Sequence, residues 1–104
     1  MKKINYSFSE SDFETIIYTL SILPSLGLED SDSQLAINRQ CCLSAAEKLS
    51  HHDTNLLPNE FRVVVASLEA AKLISQGHLD VEPEVRKECN NYLFSINKLI
   101  SAFE

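Results

Sequence analysis

Apolar residues recur along this chain at intervals of three and four, the spacing of one face of an α-helix. Phe13, Ile16, Ile17, Leu20 and Leu23 form a first stripe, and Leu35, Cys42, Ala45, Ala46 and Leu49 a second. A third stretch is apolar around most of its circumference: Phe61, Val63, Val64, Val65, Ala66, Leu68, Ala70, Ala71, Leu73 and Ile74. Only Arg62, Glu69, Lys72 and Gln76 give it a wet side. The fourth stripe, Val85, Cys89, Tyr92, Ile96, Leu99 and Phe103, alternates steps of four and three, a heptad seam.

The punctuation between the stripes fits four helices. Ser9 with Asp12 forms an acidic capping box, and Phe8 with Phe13 occupies the two positions of a hydrophobic staple. Pro24 and Gly27 end the first helix. Ser31 and Gln34 frame the second helix as a capping box, and His51 and His52 occupy its last turn. The third helix begins at Pro58 or Asn59, with Leu57 a poor cap, and Gly77 closes it. Pro83 opens the fourth. Short connections between helices of matched length predict an all-α, four-helix up-down-up-down bundle.

The two halves echo each other. Asp12 to Leu20 matches Glu60 to Leu68, and Glu47-Lys48-Leu49-Ser50 matches Asn97-Lys98-Leu99-Ile100. A repeat of roughly fifty residues predicts one domain built of two similar helical hairpins, about 8–52 and 57–104, after a loosely ordered lead at 1–7.

Composition narrows the function classes. The chain has 104 residues, 44% hydrophobic and 23% charged, with only 2 Gly and 3 Pro, leaving room for few turns. The net charge of −6 argues against nucleic acid and against an anionic membrane surface, both of which select clustered Lys and Arg. No apolar run reaches the ~20 residues of a membrane span. The two N-terminal lysines are followed by no apolar segment of the signal-peptide kind, so the expected location is cytoplasmic. Three cysteines, two of them adjacent, make a poor disulfide framework.

Chemistry is sparse. His51, His52 and Asp53 are the one cluster of metal-ligating types, but neighbouring helical residues point about 100° apart and do not chelate as an i, i+4 pair does. They therefore read as a helix end rather than a metal site, and no cofactor is expected. Cys42 and Cys89 lie on core stripes, which leaves Cys41 as the exposed thiol, without an identifiable base. Glu47, Glu60, Glu69 and Glu88 read as solvated carboxylates. A phosphotransfer bundle needs an exposed mid-helix histidine, whereas His51, His52 and His78 sit at helix ends or in loops.

What remains is the surplus apolar girth of helix 3. Val63, Ala66, Ala70 and Leu73 are expected to form a second face that covers a partner protein or another copy of the chain. Acidic clusters at Glu10-Asp12-Glu14 and Glu29-Asp30-Asp32 supply a surface for a basic partner. The sequence thus points to a non-enzymatic protein–protein interaction or regulatory module. The alternative is a small-molecule- or metal-binding bundle that uses His51, His52 or His78.

Overall fold

The computed structural model describes residues 2–3, 8–26 and 32–103. In chain order the elements are β1 (Lys2–Lys3), α1 (Glu10–Ile22), a 3₁₀ turn (Leu23–Leu26), α2 (Asp32–Ser50), β2 (Asn55–Leu56), α3 (Pro58–Ser75), α4 (Pro83–Asn91) and α5 (Leu93–Phe103). The fold is helical throughout, apart from a two-residue antiparallel pairing of Lys2 with Leu56 and Lys3 with Asn55.

α1 starts as its sequence dictates. Ser9 Oγ accepts from Asp12 N–H at 3.1 Å, and Asp12 Oδ2 accepts from Ser9 N–H at 3.0 Å. The Phe8 and Phe13 rings meet at 5.1 Å, completing the staple. Pro24 falls in the 3₁₀ turn that ends this helix. The caps expected at Gly27 and Ser31, and the acids Glu29 and Asp30, lie outside the described residues. Asp32 is the first residue of α2.

α2 and α3 end alike. Asp53 N–H bonds Lys48 C=O and His52 N–H bonds Leu49 C=O; His78 N–H bonds Leu73 C=O and Gly77 N–H bonds Ile74 C=O. Both are Schellman closures, which place one residue in the left-handed region. After α3 that residue is Gly77 at φ 81°, and after α2 it is His52 at φ 60°.

The expected fourth helix is divided in two, so the described residues hold five α-helices instead of four. Tyr92 takes φ −94° and ψ 3° between α4 and α5. Asn90 and Asn91, whose side chains compete for backbone hydrogen bonds, precede the break. The ladder bridges it: Tyr92 N–H bonds Glu88 C=O and Ile96 N–H bonds Tyr92 C=O. The seam therefore keeps its direction. Cys89, Ile96 and Leu99 are fully buried, while Val85, Tyr92 and Phe103 pack half-buried against the core.

α3 is the central element. It packs against α1, α2, α4 and α5, which accounts for its apolar circumference. Val63, Val64, Leu68, Ala71 and Ile74 meet Ile16 and Leu20 of α1, Ala45 and Leu49 of α2, and Ile96 and Leu99 of α5 in one cluster. Leu56 of the α2–α3 linker is also fully buried there.

Candidate functional site

Among the described residues, three open clefts border α2. One, about 400 Å³, lies between α2 and the start of α3 and is lined by Gln40, Cys41, Ser44, Leu57, Pro58, Asn59 and Glu60. A second, about 340 Å³, continues past Ser44 along Glu47, Lys48, His51 and Asp53. The third, about 350 Å³, lies between α1 and α2, lined by Ile17, Leu20, Ser21, Pro24, Arg39, Cys42, Leu43 and Ala46.

Glu60 lines the first cleft and is only 2% exposed, which corrects its reading as a solvated carboxylate. It occupies the third position of α3, where an acid can reach back to the cap. Leu57, at the cap, has no side-chain acceptor, so only the return half of a capping box forms: Leu57 N–H donates to Oε1 at 2.7 Å. Lys48 Nζ lies 2.7 Å from the same oxygen, and Ser44 Oγ donates to Oε2. Burial pushes this carboxyl upward, but Lys48, Ser44 and the Leu57 N–H together outweigh it and hold Glu60 below the ordinary range. A serine hydrogen-bonded to a carboxylate invites a catalytic reading. A base held below its ordinary pKa is a poor proton acceptor at neutral pH, however.

Asp12 shows what the cluster is for. It holds the third position of α1 as Glu60 holds that of α3, and it too is fully buried. Its cation is Lys98 Nζ, 3.2 Å from Oδ1; no hydrogen bond of regular geometry reaches that oxygen. Asp12 and Glu60 are matching positions of the sequence repeat, as are Lys48 and Lys98. The acid of each half thus binds the lysine of the other. At the same separation as the two acids, 48 residues, Thr19 and Ser67 hydrogen-bond each other at 2.9 Å, both fully buried. Ser44 has no counterpart in this pattern: at the Lys48–Lys98 offset its place is taken by Phe94, and Ser95 Oγ lies 3.4 Å from Ser11 Oγ. A reciprocal pattern in which matching residues meet is the signature of a twofold interface. The Glu60 cluster is one of two structural clasps.

The metal-type residues are drawn to separate tasks. His51 Nδ1 lies 2.9 Å from Glu47 C=O. The His52 ring stacks on Phe13, centroids 4.3 Å apart and planes 14° apart, with Nε2 3.1 Å from Glu10 Oε1. Asp53 Oδ1 accepts from Asn55 N–H at 3.0 Å, an Asx turn that starts the linker. His78 is exposed beside the Gly77 closure. No three His, Cys, Asp or Glu side chains among the described residues converge as a metal site.

The cysteines are free, with Cys42 and Cys89 buried and Cys41 half-buried at the α2–α3 cleft. Burial raises the Cys42 thiol to about 11, with Cys41 adding to the rise and Arg62 opposing it. Burial and then Glu88 raise Cys89 to about 11. Burial also raises the Tyr18 hydroxyl, with Cys89, Glu88 and Tyr92 adding to it; the Tyr18 and Tyr92 rings lie 5.4 Å apart.

Of the four helix 3 residues expected to form a contact face, Val63 and Ala70 are buried within the fold, Ala66 is half-buried, and Leu73 is 42% exposed. Asp12 is likewise withdrawn from the acidic surface assigned to Glu10, Asp12 and Glu14, whereas Glu10 and Glu14 stay exposed. The largest exposed apolar side chains lie elsewhere. Phe94 on α5 is 82% exposed and Leu43 on α2 is 63% exposed. Ile37 and Leu57 are about half-exposed. Phe94 lies off the heptad seam among Asn90, Asn91 and Asn97, and an aromatic at such a position was the signal available for it.

No family model matches this chain, and no curated protein and no solved structure matches it either. No described helix is long and apolar enough to cross a membrane.

Proposed function

We propose that this protein is a non-enzymatic interaction module that works through α2. The observation that carries the reading is Leu43, 63% exposed on the rim of the α1–α2 cleft. Ile17, Leu20, Pro24, Cys42 and Ala46 give that cleft apolar walls, and Arg39 is its one charged lining residue among the described residues. Such a site suits an apolar anchor residue flanked by an acidic group on a partner protein. We read the architecture behind it as an up-down bundle of four helical rods, α4 and α5 forming one interrupted rod. Phe103 at the end of α5 meets both Phe8, before α1, and Phe61, in the first turn of α3, which supports this reading.

The test is quantitative affinity purification from the native source with the unaltered chain, Leu43→Asp and Phe94→Ser. A stoichiometric partner should be held by the unaltered chain and by Phe94→Ser and lost from Leu43→Asp. Equal capture by all three would sink the α2 site.

A further inference from the structure

The reciprocal contacts have a partner implication that does not depend on the α1–α2 cleft. The described residues of 8–53 and those of 57–103 face each other through an interface of the kind two identical subunits make. Glu60 takes its cation from the first half and Asp12 takes its cation from the second. Thr19 meets Ser67, its own repeat equivalent. None of these contacts requires both halves to belong to one chain. Only the short segment after α2 does that, and it is held in its turn by a few named bonds. β1 pairs with Asn55 and Leu56, Asp53 Oδ1 fixes Asn55 N–H, and Lys48 Nζ reaches Asn55 C=O at 3.4 Å. Leu56 is sunk into the core.

We propose that the face between the two hairpins is an interaction surface for a second copy of this chain, with residues 54–57 as the hinge. On opening there, the first hairpin of one copy seats on the second hairpin of another and remakes both clasps, Lys48 to Glu60 and Asp12 to Lys98, between chains. The product is a closed, hairpin-exchanged dimer. Hinge strain aside, exchange conserves every inter-hairpin contact. Its balance is then set by the effective concentration of the tethered halves, on the order of millimolar for a short linker. Exchange therefore grows as protein concentration approaches that range.

The test uses full-length chains with Cys41→Ser to remove the half-buried thiol. One carries Thr19→Cys and the other Ser67→Cys, whose side-chain oxygens lie 2.9 Å apart in the native protein. The two chains are unfolded together, refolded as a mixture near 1 mM, a concentration chosen to match the effective molarity of a short linker, and mildly oxidised. Exchange predicts a disulfide-linked dimer containing one of each chain. Random pairing places such a link in about half of the exchanged dimers. A single chain carrying both cysteines should cross-link to itself, which verifies the geometry. The proposal is overturned if that self-link forms while the mixture yields no mixed dimer. As a second arm, the unaltered chain is refolded at about 1 mM and its mass read by light scattering after size exclusion; a fraction at twice the monomer mass is expected, and monomer alone overturns the proposal as well.

Discussion

Replacing Lys48 by methionine isolates the charge in the Glu60 clasp. Methionine keeps most of the apolar stem and removes the ammonium group. Glu60, 2% exposed, then keeps Ser44 and the Leu57 N–H but no cation. Removing one member of a buried ion pair costs about 3–5 kcal/mol. Lys48 itself is 28% exposed, so part of its attraction is screened, and a cost of about 2–3 kcal/mol is expected at neutral pH. For a chain of this size that lowers Tm by roughly 10–15 °C. The pH dependence has a fixed sign. Glu60 titrates below its ordinary value, so its contribution is full above the unfolded-state pKa of about 4.3 and is lost as pH falls through the lower folded value. In Lys48→Met that contribution is missing, and the gap between the two proteins must close as Glu60 becomes protonated in both. Urea denaturation followed by circular dichroism at pH 7 and pH 3.5 measures the gap. A difference that stays constant across that range would falsify the clasp as an ionic interaction.

Asp12→Asn should likewise destabilise at pH 7, because Asp12 both caps α1 and faces Lys98; about 1–2 kcal/mol is expected from urea midpoints, and under half of that would reduce Asp12 to a packing residue. His52→Gly should exceed His52→Ala in stability by about 1 kcal/mol, since both lose the Phe13 stack but only glycine relieves the left-handed φ of 60°; equal midpoints would exclude strain there. With a thiol reagent at pH 8 one cysteine, Cys41, should react quickly. Cys42 and Cys89, buried and with thiols raised to about 11, should react only on unfolding, and two fast thiols would contradict the α2 packing.

Much of this was legible in the residues. The Ser9–Asp12 box, the Phe8–Phe13 staple, the Gly77 closure and the seam from Val85 to Phe103 are local patterns, and each appears where its spacing puts it. Misassigned features depend on elements distant in sequence. An acid at the third position of a helix reads as solvated unless its lysine is known, and Lys98 reaches Asp12 from the far end of the chain. Periodicity shows that α3 is apolar all round but not that four other helices surround it, so Val63 and Ala70 were assigned to a free face. The break at Tyr92 interrupts no periodicity, because the ladder and the seam both pass through it. The similarity of Lys48 to Lys98 was visible as repetition, but not that each lysine faces the acid of the other stretch.

The difference between the two helix starts has a consequence for mutational tolerance. α1 has a serine cap and α3 has Leu57, which cannot accept a hydrogen bond. In an assembly of two identical hairpins, losing that serine would be felt at both caps, a penalty of about 1 kcal/mol taken twice. With both hairpins in one polypeptide it is felt once, and Ser44 and Lys48 can reinforce the weakened end alone. Within one polypeptide each of the two positions can be substituted independently of the other. Leucine can then occupy a capping position, where it leaves an apolar side chain half-exposed on the wall of the α2–α3 cleft.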